Sequence, residues 1–391
     1  MADLAAPVDR PPATQQLVWR VPRAWLLAAV PAVLYLVVRG VGIGVYALLV
    51  AANHWNFDLH TWDGDWYLQI AQHGYLGVDP SMNPIGPRTP WTPMVFFPGY
   101  PLAVKVVSVL CAGNFVVAGV AVSFVAGVVA SYGVARLARN VSNSRRTEII
   151  SMVLFAAAPM SITYALTYPE ALLCALSVWA LVGIVEHRWW LAGPCVIAAG
   201  YVSPMAAPLI IVATAAAFRD SMRDRGGWWA PIAGTTASFG MVGYLLWVYV
   251  TTGGRASYFS IQRDSYGSHV DFGYSSVKWL WQAVAKDTTT FTTLTALLTV
   301  AVVVLTVLLI RFHFPWQVWV YTALTLALAL GSAGIQWDKT RLLLSAFPVV
   351  LVLATVIAGQ RKAAMVGWVT AIALFGLWFS AYSLAVWHYS I

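Results

Sequence analysis

Residues 24–52 read AWLLAAVPAVLYLVVRGVGIGVYALLVAA, and residues 61–75, shortly after them, read TWDGDWYLQIAQHGY. The first stretch is apolar and long enough to cross roughly 30 Å of bilayer hydrocarbon as a helix. It is too long for the apolar core of a signal peptide, which has roughly 7–15 residues, so we expect a retained membrane helix. The second stretch places Asp63 and Asp65 among aromatic residues beyond the end of that helix.

The composition favours the same class of protein. Of the 391 residues, 60% are hydrophobic and 10% are charged, whereas an ordinary soluble domain has about 25% charged residues. The net charge of +8 comes from basic residues scattered in short loops. No basic helix or stripe could follow a phosphate backbone, so a nucleic-acid partner is excluded. The sequence therefore predicts an all-α integral membrane protein, and its preference for arginine, alanine and valine indicates the plasma membrane of a GC-rich bacterium.

Further apolar runs predict about ten to eleven transmembrane helices in all. The runs are 24–52, 112–138, 148–166, 170–185, 189–217, 228–251, 289–311, 316–333, 342–359 and 363–387. The run 189–217 is interrupted by YVSPMAAP (201–208), whose prolines break helices. If this run crosses twice as a broken hairpin, the arginine-rich loops such as 136–146 and 219–225 share one side with the N-terminus. Because basic loops mark the cytoplasmic side, we expect that hairpin and a cytoplasmic N-terminus.

This topology places three polar loops together on the external face, at 53–100, 252–288 and 334–341. It also divides the chain into a cytoplasmic tail, 1–23, and one membrane domain, 24–391. The cytoplasmic loops are short and basic, so we expect the chemistry of the protein on the external side.

The first external loop predicts a short interfacial helix. Asp63 can cap a helix that runs from about Gly64 to His73, because a carboxylate accepts the unpaired backbone N–H groups at a helix start. Gly74 is suited to end it. Trp66, Tyr67 and Ile70 then share one face, which makes the helix amphipathic.

Four blocks of the sequence resemble the PIG-V-like mannosyltransferase family. The specific blocks are WDGDWYLQIAQHGY (62–75) and FFPGYP (96–101), and weaker likenesses lie at TYPE (167–170) and TRLLLSAFP (340–348). The chain departs from the family at Val202-Ser203-Pro204, where an arginine is usual, and at Arg341-Leu342, where the family has Arg-Tyr. The resemblance implies the GT-C architecture, a polyprenyl-phosphate sugar donor, and inverting transfer on the non-cytoplasmic side.

The same resemblance makes Asp63 the expected catalytic base, with Asp65 as the second choice. An acceptor hydroxyl must lose its proton as it attacks the anomeric carbon, and an ionised aspartate can take that proton. Such general-base assistance contributes about 10²–10⁴ in rate. Asp58 is a weaker candidate and is assigned here to sugar or acceptor binding.

The leaving polyprenyl phosphate carries little charge, so a basic side chain can stabilise it without a metal. Arg341 is favoured because a guanidinium grips phosphate through two N–H groups, although it could also snorkel to lipid headgroups. The other candidates are Lys339, Arg263, His269 and Arg39. Arg39 lies deep in the first helix, where a charge is costly, so we expect it to meet either a phosphate or a buried carboxylate such as Glu170.

Candidate sugar or acceptor contacts are aromatic and carboxylate side chains. Aromatic rings can stack on sugar faces, and Glu170 either caps its helix or binds a hydroxyl. The candidates are Trp62, Trp66, Tyr67, Glu170 and Asp58.

The histidines show no metal-ligand spacing, so no cofactor is expected and a divalent metal is not indicated. The expected partners are the polyprenyl-phosphate sugar, a glycolipid, glycan or protein acceptor, and membrane lipids. Two other hypotheses stay open at this point. One is a transporter or flippase of lipid-linked precursors; the other is the same enzyme class with another polyprenyl-linked sugar, such as arabinose.

Overall fold

The computed structural model of the protein describes residues 23–82, 89–286, 288–336 and 338–387. The predicted tail, 1–23, lies outside these residues except for Arg23. Residues to Val30 form one unit and Pro31–Ile391 a second; all features discussed below belong to the second. Within the described residues all regular elements are helices, and the only β pairing is an isolated bridge between Val270 and Ser332.

The helices follow one another with short connections. In chain order they are α1 (Arg23–Ala52), α2 (Asp63–His73), α3 (Gly99–Ser108), α4 (Phe115–Ser142), α5 (Arg145–Ala156), α6 (Glu170–Val185), α7 (Trp189–Val202), α8 (Ala207–Ser221), α9 (Trp229–Thr236), α10 (Phe239–Thr251), α11 (Tyr258–Tyr266), α12 (Tyr274–Ala285), α13 (Thr290–Arg311), α14 (Trp316–Leu330), α15 (Lys339–Leu342), α16 (Val349–Ala358) and α17 (Lys362–Ala385). Short 3₁₀ turns add Pro80–Met82, Thr92–Val95, Ser161–Ala165, Pro204–Ala206 and Leu343–Ala346.

Many of these helices are long and apolar enough to cross a membrane. By length and composition five qualify within the described residues, Leu27–Ala52, Phe115–Ser142, Trp229–Thr251, Thr290–Arg311 and Lys362–Ala385. A sixth forms if Lys339–Ala346 and Val349–Ala358, bent by 63°, are one span. Shorter apolar helices are α6, α7 and α14. The all-α membrane fold predicted from the sequence is confirmed, while the count of ten to eleven crossings stays a prediction.

One predicted run is divided differently from the expectation. The run 148–166 is not one helix, because α5 ends at Ala156 and the 3₁₀ turn Ser161–Ala165 follows. Pro159 explains the break: the residue before a proline is driven out of the helical conformation.

The chain reverses direction between α7 and α8. The Nδ1 atom of His187 lies 2.6 Å from Oδ2 of Asp220, and the indole N–H of Trp189 donates to the same oxygen at 2.9 Å. The start of α7 and the end of α8 therefore lie together. Between them Ser203 is extended and its hydroxyl accepts from the N–H of Met205. The helices α7 and α8 therefore form a hairpin, and its two crossings of the membrane stay a prediction.

The bundle has two distinct ends, marked by one glutamate at the start of α6 and another just after its end. Glu170 begins this helix and Glu186 follows it, so at a rise of 1.5 Å per residue they are separated by about 24 Å. Glu186 pairs with Arg136 at 2.7 Å. This Glu186 end also holds the His187–Asp220 contact, whereas the Glu170 end holds the three polar loops.

The three polar loops contact one another directly. The hydroxyls of Thr92 and Ser265 are 3.3 Å apart, which joins the first loop to the second. The N–H of Asp271 donates to the carbonyl of Gly331 at 3.1 Å, and the hydroxyl of Ser276 donates to Gln336 at 3.3 Å. The convergence predicted from the charge pattern is thus present in the fold.

Close helix packing in the core depends on small residues. A Cβ atom added to Gly376 of α17 would lie 1.9 Å from the carbonyl oxygen of Ala157. On the same helix, Gly367 has no atom within 4 Å of such a Cβ.

We predict that Gly376→Ala lowers the thermal unfolding midpoint of the purified protein in detergent, since overpacking against backbone costs about 1–3 kcal/mol. The matched variant Gly367→Ala keeps or raises the midpoint, because alanine is more favourable than glycine at an exposed helix position by about 1 kcal/mol. Equal midpoints for the two variants would show that α17 does not pack on α5 as described.

Candidate active site

Arg341 in α15 lies between two carboxylates at the Glu170 end. Its Nη2 atom donates to Oδ2 of Asp63 at 2.7 Å, and its Nε atom lies 3.2 Å from Oε1 of Glu170. The guanidinium also lies over the ring of Tyr168, 5.2 Å from the centroid. The Arg341 side chain is only 12% exposed, so this cluster is a charged site largely removed from water.

The two sequence blocks that carry the carboxylates interlock. The N–H of Thr167 donates to the carbonyl of Leu59 at 3.1 Å, and the hydroxyl of Tyr168 donates to the carbonyl of Thr61 at 2.9 Å. A Cβ on Gly64 would lie 2.5 Å from the Thr167 hydroxyl. The glycine of the WDGD block is therefore needed for the close approach that brings Asp63 to Glu170.

The start of α2 differs from the expectation. The helix begins at Asp63 itself, and no side chain caps it. The carboxylate of Asp63 bonds to Arg341 instead, so the capping interpretation is wrong, although an acid in the first turn still interacts favourably with the helix dipole. The helix ends at His73, with Gly74 at φ 71°, as predicted.

Three buried atoms of the cluster make no hydrogen bond to any described residue: Nε and Nη1 of Arg341 and Oε2 of Glu170. The Nε atom faces Oε1 of Glu170 at 3.2 Å as an ion pair only. A buried polar atom without a partner costs about 1–3 kcal/mol. A donor and an acceptor left in this state next to a half-buried aspartate can both contact a bound ligand; the Asp63 side chain is 25% exposed.

Asp65 belongs to a second cluster. Its Oδ1 atom lies 2.6 Å from Nδ1 of His60, and Nε2 of His60 lies 3.3 Å from Oδ1 of Asp58. Burial raises the pKa of Asp65 above its usual range, and the hydrogen bond to His60 opposes that shift. The structure thus separates the two aspartates of the motif: Asp63 faces Arg341, whereas Asp65 and Asp58 flank a histidine that sequence reasoning did not assign to the site.

Two of the predicted phosphate-binding residues contact other parts of the chain in the structure, and their assignment to phosphate stays a prediction. Lys339 is buried and donates to the hydroxyl of Ser276 at 2.6 Å and to the carbonyl of Ser332, so it ties the loops together. Arg39 donates to the carbonyl of Ala156 at 2.8 Å and to the hydroxyl of Ser161 at 2.6 Å. The expected pairing of Arg39 with a buried carboxylate is wrong, because the α5 break supplies its acceptors.

Arg263 and His269 lie in the second polar loop, and both are exposed. Nε of Arg263 is 3.5 Å from its neighbour Asp264, and Nδ1 of His269 is 3.0 Å from the carbonyl of Gly267. Within the described part of the chain, neither side chain is brought into contact with Arg341 or Asp63. Their assignment to the phosphate stays a prediction.

The aromatic candidates divide into core and surface residues. Trp66 stacks on Phe96 at 5.4 Å, and Tyr67 meets the rings of Phe96 and Tyr100 edge-on. Trp66 is buried, so its proposed sugar contact is wrong and it packs α2 onto the bundle. Trp62 is exposed and has φ 58°, a backbone conformation that a residue with a side chain rarely adopts.

Sequence reasoning missed two tyrosines of the site. Tyr168 lies under the Arg341 guanidinium, and it was present in the TYPE block without being singled out. The hydroxyl of Tyr266 in α11 is buried and has no partner in the described part of the chain. No spacing in the sequence marks Tyr266, because its position depends on the packing of α11 on the first loop. Searched over the described residues, no group of three His, Cys, Asp or Glu side chains could hold a metal ion.

Comparison with known proteins identifies the fold. No family model matches the chain, and no curated protein matches it. It is similar to the crystal structure of ArnT from Cupriavidus metallidurans bound to undecaprenyl phosphate, with a TM-score of 0.53 and 11% identity over 91% of this chain and 64% of ArnT. The archaeal oligosaccharyltransferase AglB from Archaeoglobus fulgidus, in complex with an inhibitory peptide and a dolichol-phosphate, has a TM-score of 0.48 and 14% identity over 90% and 56% of the two chains.

The likeness to ArnT shows a shared fold at low identity, in agreement with the all-α membrane architecture that the sequence predicts. The chain spans less than two thirds of the length of ArnT. The comparison therefore establishes the fold of the protein. The resemblance to PIG-V-like mannosyltransferases stays a prediction.

We predict that Arg341→Met strongly destabilises the protein, because Asp63 and Glu170 then face each other without a counter-charge; removing one partner of a buried pair costs about 3–5 kcal/mol. The triple variant Arg341→Met/Asp63→Asn/Glu170→Gln recovers most of that loss. Thermal unfolding in detergent measures both effects. Arg263→Met, which breaks an exposed pair, is the control and shifts stability little. A triple variant no more stable than the single one would contradict the ion-pair geometry.

Proposed function

We propose that the protein is a membrane glycosyltransferase that transfers a sugar from a polyprenyl-phosphate donor to a hydroxyl of a glycolipid or glycan acceptor. Transfer takes place on the non-cytoplasmic face and inverts the anomeric centre. The observation that supports this most is the contact between Asp63, Arg341 and Glu170. It lies within a GT-C fold, and the sequence blocks that carry it are those that resemble a transferase family.

Asp63 is the general base of the proposed reaction. Its partly exposed carboxylate takes the proton of the acceptor hydroxyl as the oxygen attacks the anomeric carbon. The bond from that carbon to the phosphate oxygen breaks at the same time, and polyprenyl phosphate leaves on the opposite face of the sugar. Arg341 orients Asp63 through the hydrogen bond that its Nη2 atom donates to Oδ2 at 2.7 Å.

Arg341 also serves the leaving group. Its Nη1 atom has no partner among the described residues, so it can donate to a phosphate oxygen while Nη2 holds Asp63. A charge-assisted hydrogen bond in a buried site stabilises the negative charge that develops on the departing phosphate. Glu170 holds the guanidinium from the other side, so that Arg341 can contact Asp63 and the phosphate at the same time.

Mannose is the proposed sugar, because the resemblance is to mannosyltransferases. Arabinose or another polyprenyl-linked sugar would use the same phosphate contact. In a bacterium, acceptors such as a lipoglycan or another envelope glycolipid fit the external position of the site.

The direct test uses purified protein in liposomes with labelled polyprenyl-phosphate mannose, the arabinose counterpart in parallel, and an envelope glycolipid extract as acceptor. We expect label from the mannose donor in the glycolipid fraction. Label from arabinose alone would correct the sugar. Movement of intact donor across the bilayer without transfer would overturn the proposal in favour of a transporter.

We predict that Asp63→Asn lowers kcat by about 10²–10⁴, with little change in the KM for the donor, because the amide cannot accept the proton. Asp65→Asn keeps kcat within the same order of magnitude, since Asp65 faces His60 rather than Arg341. Asp264→Asn is a matched control in an exposed external loop. Near wild-type kcat in a folded Asp63→Asn protein would exclude Asp63 as the base.

A further inference from the structure

Two polar side chains of α11 have buried atoms without a partner. The hydroxyl of Tyr266 and the amide oxygen Oε1 of Gln262 make no hydrogen bond to any described residue. The two residues are four positions apart, a spacing that places side chains on the same face of a helix. An unpartnered buried polar atom is costly, so two of them on one helix face indicate a ligand that supplies the missing partners.

The Tyr266 side chain lies beside the proposed base. Tyr67 follows Asp63 by four positions on α2, so the two share a face of that helix. The ring of Tyr67 meets the ring of Phe96 edge-on, with 5.1 Å between the centroids. On the other side, Phe96 meets the ring of Tyr266 edge-on at 6.3 Å. A short row of touching rings therefore joins α2 to α11 next to Asp63.

The charges of the site also act on the Tyr266 hydroxyl. Burial raises its pKa far above the ordinary range, the carboxylate of Asp63 raises the pKa further, and the guanidinium of Arg341 lowers it. The hydroxyl is therefore neutral at physiological pH. A neutral phenol can both donate and accept a hydrogen bond.

The unpartnered atoms of the site differ in what they require from a ligand. Oε2 of Glu170 and Oε1 of Gln262 are acceptors, and each needs an O–H or N–H group of the ligand. The phosphodiester of a polyprenyl-phosphate sugar has no O–H group, so it can use Nη1 of Arg341 but neither acceptor. The hydroxyls of the sugar can donate to both acceptors and also accept from a phenol.

We propose that Tyr266 and Gln262 are specificity residues for the transferred sugar, whose hydroxyls they bind while Arg341 holds the phosphate. A sugar with its phosphate at Arg341 and its anomeric carbon facing Asp63 lies next to those two residues, as the Tyr266 hydroxyl does. The inference rests on the proposed function. It adds that the transferred sugar carries free hydroxyls on the side facing α11, because a buried polar group left unpaired rejects an analogue that lacks its partner.

The test uses the sugar that wild type transfers, on its polyprenyl phosphate, and a series of donors that each lack one sugar hydroxyl. Tyr266→Phe removes the hydroxyl and keeps the ring on Phe96. We expect it to lower kcat/KM for the complete donor roughly 2- to 13-fold, the loss of one net hydrogen bond of about 0.5–1.5 kcal/mol. With the one deoxy donor that lacks the partner hydroxyl, the same variant equals wild type.

Gln262→Met gives the same pattern with a different deoxy donor, because the thioether keeps the length of the side chain and loses the amide. Each comparison is made between enzymes on one donor, so the altered reactivity of a deoxy sugar cancels. The control is Tyr274→Phe, which changes an exposed tyrosine of the same external loop. It leaves kcat/KM unchanged for every donor.

Two further measurements separate sugar binding from other roles of the hydroxyl. Tyr266→Phe keeps or raises the thermal unfolding midpoint in detergent, because the hydroxyl has no partner among the described residues; a structural hydroxyl would lower the midpoint. Inhibition by polyprenyl phosphate, which carries no sugar, is equally strong in wild type and in Tyr266→Phe.

Four results would overturn this inference and leave the proposed function standing. They are an unchanged kcat/KM in Tyr266→Phe, an equal loss with every deoxy donor, a lowered unfolding midpoint, and weaker inhibition by polyprenyl phosphate. The last result would place the hydroxyl at the phosphate instead of the sugar. Absence of any transfer by folded wild type would remove the proposed function itself.

Discussion

The buried guanidinium of Arg341 is the constraint on which the site depends. A charge taken out of water is costly unless it is paired and hydrogen-bonded. Arg341 is hydrogen-bonded to Asp63 at 2.7 Å and ion-paired with Glu170 at 3.2 Å. These three residues lie in segments far apart in the sequence. The first loop, the start of α6 and the short helix α15 must therefore meet, and the packing of Gly64 on Thr167 makes that meeting possible.

The same arrangement gives the site an electrostatic character suited to phosphate chemistry. Asp63 is the first residue of α2 and Glu170 the first residue of α6, so two helix N-termini, each with a partial positive charge, join the guanidinium. The two carboxylates balance this positive field in the resting protein. When a phosphate enters, it can take up the free Nη1 donor without breaking the Asp63 contact. In the proposed reaction, the base and the leaving group thus contact the same side chain.

Much of the architecture follows from local sequence, and the site follows only in part. Apolar length predicts α1, α4, α13 and α17, because a long uninterrupted run has few alternatives in a bilayer. The prediction of one helix over 148–166 is wrong, because Pro159 breaks the helix although the run is apolar. Asp63 and Arg341 are each found from the blocks that contain them, but their pairing has no local signal across 278 positions. Arg39 was a phosphate candidate because a charge inside an apolar helix is costly, and Lys339 because it lies at the end of a helix where a lipid phosphate would bind. In the structure both donate to backbone carbonyls and hydroxyls that only the fold reveals.

The most direct measurement is a cryo-electron-microscopy structure of the protein with a polyprenyl-phosphate sugar bound. We expect a phosphate oxygen about 3 Å from Nη1 of Arg341, a hydrogen-bond distance, with the anomeric carbon facing the carboxylate of Asp63. A phosphate bound elsewhere, with the Asp63–Arg341 pair intact and remote from the sugar, would contradict the account.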